Sequence, residues 1–482
     1  MRYVKPLFTV CAAAFLFCSH GFASGPSFGP FYDQFPLTLS RGERTEAAGP
    51  FYIFEQRETQ QLWAVPPLFS YFRDPDLESA EFDLAYPLLT YDRYGREYRF
   101  QILQLFAFAG GQDQEGDVSR RFTLFPIYFQ QRSPAPEENY TALVPIYGHL
   151  QNRLFRDEID FVLFPLYGKS RKRDVVTWNY LYPVFHRRLG DALSGWQVWP
   201  LVGHEHKHPT TRTNIADDIE IIGGHDKFFA LWPIFLDNEF GLGTDNPQRQ
   251  LSVLPLFTSL RSPQRDSLTA PWPIGLTLTD DREKKYKEVG APWPFIVFAR
   301  GENRHVSRVW PLYSKAQSGG LESSFYLWPI YRHTRIHSPP LDRDRTRILF
   351  FLYSDINLRH TETGVSSKRS DFWPLFTYTR DLDQNKRLQV FSLLEPLLPN
   401  NKSIERNYSQ LWSVWRSERN GKTGASSQSL LWNLYRRDVT QEKTKTSVLL
   451  GLFQREKMAT GTDWKIFHIP LGKKTGKDEA LK

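Results

Sequence analysis

The run His204-Glu205-His206-Lys207-His208 satisfies the pattern H-E-x-x-H. On a helix that spacing sets two imidazoles on one face as zinc ligands, with the glutamate as general base. The neighbours argue against a helix, because the run continues the block Trp199-Pro200-Leu201-Val202 and stops at Pro209, leaving no helical turn room to begin. On a strand, His204, His206 and His208 share a face and could hold a transition metal loosely. Glu220 or His225 could then complete a ligand set. The interval from Pro200 to Pro233 is 33 residues, the longest in the chain's proline cadence, so residues 204–226 read as an insertion of the kind that carries function. The expectation for it is a polar, solvated loop. The paired carboxylates Asp217-Asp218 and Asp280-Asp281 read as solvated turns, and Trp196 and Trp272, which could stack on sugars, read as packing. No Gly-rich phosphate loop, serine nucleophile elbow or cysteine site is present. The expectation is therefore no enzyme, with no catalytic residue, no metal and no cofactor assigned.

What positions these residues is a repeat. Two apolar residues, a proline, an aliphatic residue and an aromatic one recur as Leu124-Phe125-Pro126-Ile127-Tyr128, Leu163-Phe164-Pro165-Leu166-Tyr167 and Leu327-Trp328-Pro329-Ile330-Tyr331. Fifteen of the 33 prolines occupy this role. Two units, Leu103-Gln104-Leu105-Phe106 and Phe350-Phe351-Leu352-Tyr353, keep the pattern without proline, and after Pro374 it continues in Leu411-Trp412-Ser413-Val414-Trp415 and Leu431-Trp432-Asn433-Leu434-Tyr435. The mean interval is 20 residues, and roughly 22 units make one array. Each apolar block is short and aromatic, bounded by turn material such as Gly110-Gly111 and Ser133-Pro134-Ala135-Pro136, so each unit reads as one strand of about 13 residues. The tight breaks allow antiparallel neighbours, as parallel crossovers need a dozen or more residues.

The reading is all-β: an antiparallel up-and-down meander of about 22 strands. A parallel solenoid with one coil per unit stays open as the alternative. With the proline at mid-strand, both central faces are apolar and the charges sit at strand ends, for example Arg187-Arg188 and Lys169-Ser170-Arg171. A strand of about 13 residues tilted near 45° spans about 30 Å, the hydrocarbon thickness. Three features oppose it: porin-type lumens are polar and this inner face would be greasy, a proline at mid-strand removes a ladder hydrogen bond, and Thr475 to Lys482 is charged and lacks a terminal aromatic.

Composition and leader give the address. The chain has 482 residues, 15% aromatic, with 61 Lys+Arg against 53 Asp+Glu, too rich in large apolar groups for a disordered chain. Arg2 and Lys5, the apolar stretch Leu7 to Phe17 and Gly21-Phe22-Ala23 divide as a secretory signal does, so residues 1–23 are expected to be removed. Both cysteines, Cys11 and Cys18, go with them, and the formal charge falls from +8 to +6. No Lys/Arg block stands apart from neighbouring acids, so nucleic acid is not an expected partner. Residues 24–470 form the array, and 471–482 a charged tail.

In its signal peptide, cysteine-free mature chain, strand cadence and strand length, the chain resembles bacterial outer-membrane β-barrel proteins of the porin-like kind, at the level of architecture alone. The resemblance implies a closed transmembrane β-barrel acting as a channel or transport scaffold in the outer membrane. Its partners would be outer-membrane lipid and lipopolysaccharide, with anionic solutes near the basic strand ends. The alternative is a soluble periplasmic or surface β-repeat binding protein.

Overall fold

The computed structural model describes residues 27–112, 116, 118–213, 219–459 and 461–471. The expected leader 1–23 lies outside the described residues, as does the charged tail apart from Leu471. The described chain is one sheet of 43 strands and a separate hairpin, Thr210–Thr213 with Ile219–Ile222. Every recorded strand pair is antiparallel and joins sequence neighbours, except that Val202–Lys207 pairs with Gly224–Ala230 across that hairpin. The meander is therefore as expected, and the parallel solenoid is not. No pairing joins the first strand, Tyr32–Pro36, to the last, Ile469–Leu471, among the described residues. The sheet is open.

The strand count of about 22 and the length of about 13 residues are both corrected. Strands run from three to eight residues, so each 20-residue unit is a hairpin. The proline block is its turn and not its middle. In Leu124-Phe125-Pro126-Ile127 the Ile127 N–H donates to the Leu124 carbonyl at 2.7 Å across a cis Phe125–Pro126 bond, a turn with cis-proline at its third position. Leu163 to Leu166 and Leu327 to Ile330 repeat it at 2.8 and 2.7 Å. Of the fifteen prolines, all but Pro50 follow a cis bond. The missing proline N–H falls where no ladder bond is required, which removes the objection to proline in a sheet. Where proline is absent, residues with positive φ make the reversal, as at Leu103 and Gln104 (51° and 57°) in a three-residue loop or Leu349 and Phe350 (47° and 60°) in a four-residue loop.

Turns at the proline end are also bonded to one another. The Phe164 N–H donates to the Pro145 carbonyl, Tyr182 to Pro165, Trp232 to Pro200 and Trp328 to Pro311, at 2.6 to 2.7 Å. The ladder thus runs on past the strand ends into the rim. Rings follow it, with Trp310 5.9 Å from Trp328 and Trp328 5.6 Å from Phe350.

Register gives the two faces opposite character. The row next to the proline turns is apolar on one face: Phe69, Leu84, Leu89, Ile102, Phe106 and Leu124 are successive partners, and much later Tyr313, Tyr326, Tyr331, Ile348, Tyr353 and Phe372. One residue further along, the row on the other face is small and polar, with Ser70, Asp83, Ser252, Thr269, Thr277 and Ser314 all buried. In that row glycines face aromatic rings: Gly148 opposes Phe161 and Gly203 opposes Phe229. A Cβ on Gly148 would lie 2.4 Å from the Ala142 Cβ and 2.5 Å from the Phe161 ring, inside the buried cluster of Tyr140, Ala142, Leu150 and Phe161.

Gly148→Val is therefore expected to overpack this cluster, costing about 1–3 kcal/mol and lowering the urea midpoint. Gly461→Val serves as a control for bulk alone, since nothing lies within 4 Å of a Cβ there and its φ is not in the left-handed region. Equal loss in both variants would contradict the packing assignment.

Candidate functional site: an apolar rim around a polar interior

Turns alternate between two edges of the sheet, and the proline edge is the more continuously apolar, although the far edge also exposes Leu77, Leu154, Phe155 and Leu382. Along the proline edge, Phe125, Leu163, Leu231, Leu256, Leu327 and Phe350 are all exposed, with Leu256 at 65%. On the same face as the apolar row, the second row is mixed but aromatic in its first third, through Tyr71, Phe82, Tyr91, Phe100, Phe108 and Phe122. The third row is charged, as in Asp226, Glu239, Arg249, Arg261, Asp266, Asp280, Lys287 and Arg300. The opposite edge carries turns such as Arg171 to Asp174 and Asp381 to Asn385. Apolar residues at this density on one edge far exceed the scattered exposed leucines that need no explanation.

The polar faces of the two sheet ends meet each other, so the sheet curls with its polar face inside. Glu46, 5% exposed, receives both Arg416 guanidinium nitrogens at 2.7 and 2.8 Å and the Asn433 amide at 2.8 Å. Arg44 Nε lies 2.8 Å from it. Burial pushes the Glu46 carboxyl up, and Arg416 and Arg44 outweigh it, holding the group well below the usual carboxylate range. Arg436 lies 3.2 Å over the Phe35 ring. Thr38 donates to Ser427 at 2.7 Å, and Asn420 to the Thr38 carbonyl at 3.2 Å. Between the strands Lys386–Val390 and Trp415–Arg419 the helix Lys402–Asn407, capped by the Asn401 side chain on the Ile404 N–H, sends Arg406 to Glu81 and, at 3.1 Å, to Asp83. Asn407 also donates to Asp83, at 2.9 Å. These contacts enclose a half-open cavity of about 820 Å³, lined among others by Arg44, Glu55, Arg369, Arg387, Glu405 and Glu418.

The H-E-x-x-H residues lie on the strand Val202–Lys207 and the residues just after it. His204 and His206 project from the apolar-row face, where the Asp226 carboxylate accepts from both, at 2.9 and 2.7 Å. His208 Nδ1 is 3.4 Å from His206 Nε2. Glu205 points the other way, to Arg188, to His225 at 2.8 Å and to Lys227 at 3.4 Å. The strand therefore separates the glutamate from the histidines, and no metallohydrolase arrangement forms. Neither proposed completing ligand joins them: His225 is bound to Glu205, and Glu220 opposes Arg212 in the separate hairpin. That hairpin occupies much of the expected insertion 204–226, while Asp217 and Asp218 lie outside the described residues. Asp280 opposes Lys287 and Asp281 lies on the other face, buried near Arg265. Trp196 belongs to the mixed second row, opposite Arg187 and His204, and Trp272 to the rim.

One set of groups that sequence spacing could not reveal is His149, Glu158 and Asp160, whose ligand atoms lie within 4.8 Å of one another. Only the register of Tyr147–Arg153 with Arg156–Val162 joins them. Lys169 at 3.9 Å from Asp160 and Arg171 at 3.5 Å from Glu158 already supply positive charge. Among known proteins, no family model matches this chain and no curated protein is significantly similar to it.

Within the seam between the sheet ends, Asp33 is 1% exposed and its Oδ2 has no hydrogen-bond partner. Burial raises its carboxyl to about 6, against the lowering effect of Arg436 and of the Ser27 hydrogen bond. A raised acid pKa means that ionising Asp33 opposes folding. The penalty is absent below about pH 4, grows toward pH 6 and is constant above it. Asp33→Asn is expected to gain about 1–3 kcal/mol at pH 8 and nothing at pH 3.5, measured by urea unfolding at the two pH values. A gain that is equal at both would contradict the assignment.

Proposed function

We propose that the protein is an exported scaffold of the bacterial outer membrane, seating its apolar rim in one leaflet and holding its polar concave face toward water. The observation that carries this is the rim itself: exposed Leu, Trp, Phe and Ile side chains on turns whose backbone groups are bonded from one turn to the next. Lipid accepts a backbone only when its N–H and C=O groups are internally satisfied. The apolar depth fits one leaflet. Three residues of strand at about 3.4 Å each plus one turn come to about 15 Å, half of a hydrocarbon core of about 30 Å. A strand of six residues, about 20 Å long, falls short of the 9–11 residues that cross a bilayer. In this reading no strand spans, and the closed transmembrane barrel gives way to a curled wall dipping from one side. The charged third row then lies at headgroup level, where it suits outer-membrane lipid and lipopolysaccharide phosphates as partners.

A conducting channel is the second reading, favoured by the polar interior and its cavity of about 820 Å³. No catalysis and no nucleic-acid partner form part of either.

Vesicle flotation of the mature chain tests the first reading. The wild type is expected to float with phosphatidylcholine vesicles and to resist a salt wash. Leu327→Ser with Trp328→Ser and Ile330→Ser is expected to reduce the floated fraction several-fold, with far-UV circular dichroism unchanged. A chain that stays in the soluble fraction without detergent would overturn the proposal. Steady conductance steps in planar bilayers would replace it with the channel.

A further inference from the structure

On the polar face, away from the seam, the strand Leu341–Ile348 carries Arg343, Arg345 and Arg347 at alternate positions, and Arg332 on Tyr331–Ser338 stands directly opposite Arg347. Side chains two apart on a strand share a face, and Arg332 joins them through its pairing, so four guanidiniums gather on one surface. Like charges directly opposite each other in a ladder are destabilising. Among the described residues none of the four makes an ion pair within 4.0 Å. The neighbouring acids are engaged elsewhere: Asp342 receives Arg335 at 2.8 Å and Asp344 faces His333 at 2.9 Å, both on the other face. Asp371, on the same face, is held by Arg369 at 2.8 Å and by Thr377 at 2.9 Å. Arg345 Nε and the Ser354 hydroxyl, which sits opposite Arg347, are buried without hydrogen-bond partners. Burial first, then Arg347, Arg343 and Arg332, hold the Arg345 guanidinium below its ordinary range, as expected of a cluster short of counter-charge.

We propose that Arg332, Arg343, Arg345 and Arg347 form a binding site for an oligophosphate anion. Guanidinium forks match phosphate oxygens bidentately and stay charged at any working pH. Alternate residues on a strand lie about 6.8 Å apart, wider than the step between bridged phosphoryl groups, so the long guanidinium arms converge on one compact, multiply charged anion rather than taking one phosphoryl group each. The Ser354 hydroxyl adds a neutral donor. The chemistry is shared by a soluble oligophosphate and by the phosphorylated headgroup of a glycolipid, and the site stands on its own geometry, independent of how the rim meets a membrane.

Isothermal titration of the full mature chain in neutral detergent with tripolyphosphate, and separately with orthophosphate, tests the site. Saturable binding near one per chain is expected, at least ten-fold tighter for tripolyphosphate. Arg345→Gln with Arg347→Gln should weaken it ten-fold or more, whereas Arg335→Gln, on the opposite face, should leave it unchanged. If the double variant does not fold, the exposed Arg332→Gln must weaken binding at least three-fold. Absence of saturable binding, equal loss in R335Q, or unchanged affinity in R332Q would overturn the site. To distinguish the sources, wild-type chain on phosphatidylcholine vesicles is titrated with tripolyphosphate before and after doping with a phosphomonoester lipid. Competition by the doped lipid assigns a headgroup ligand, and undiminished binding assigns a soluble one.

Discussion

The rest of the structure depends on a hydrogen bond between turns. A proline carbonyl in one rim turn accepts the N–H of the residue before the proline in a neighbouring turn, as from Phe164 to Pro145 and from Trp328 to Pro311. Proline has no N–H to give, but its carbonyl is free, and at the third position of a tight reversal it points sideways along the sheet. The result is a rim whose backbone is nearly as well paired as its strands. Such an edge can bear large apolar side chains in any surroundings without leaving peptide groups unpaired.

Once turns of this kind recur every 20 residues, the period of two along each strand sorts the remaining side chains. Positions beside the turn fall alternately on an apolar face and a polar one, and the alternation holds its phase from Phe69 to Ile469 because nearly every hairpin keeps register. Among the described residues the ladder's register shift, between Gly224 and His225, sits where the extra hairpin interrupts the meander. Ser, Thr and Gly keep the polar face thin, aromatic rings pack over its glycines, and at the sheet ends buried carboxylates and guanidiniums clasp across the interior. A buried pair such as Glu46 with Arg416 adds little net stability over an apolar pair, yet removing either partner alone would strand a charge. It serves to fix which strands of the two ends meet.

Much of this was legible in the sequence. The cadence of Pro-centred blocks and the short breaks between them gave a single antiparallel array. What misled was the assumption that an apolar block is the buried middle of a strand. Leu327-Trp328-Pro329-Ile330 is apolar because it turns at an exposed rim, and the true strands, such as Tyr313–Ser318 with Ser314, Lys315 and Gln317, look like linkers when read alone. The proline itself carried the warning, since its missing N–H is tolerated in a reversal and not in a ladder. Clusters formed by register were beyond reach: Arg332 meets Arg347, and His149 meets Asp160, only after two strands are aligned residue by residue. The H-E-x-x-H run shows the converse, a motif whose meaning vanishes when alternate residues point to opposite faces.

Depth-dependent quenching of tryptophan fluorescence by spin-labelled phospholipids measures the seating of the rim most directly, on chains reduced to Trp310 and Trp328 and compared with a fluorophore placed at Gly319 on the far edge. The expected result is strong quenching of the two tryptophans by labels within one leaflet, with the Gly319 fluorophore remaining in water. Quenching at both edges, or at neither, would contradict a wall that dips its proline edge alone into the membrane.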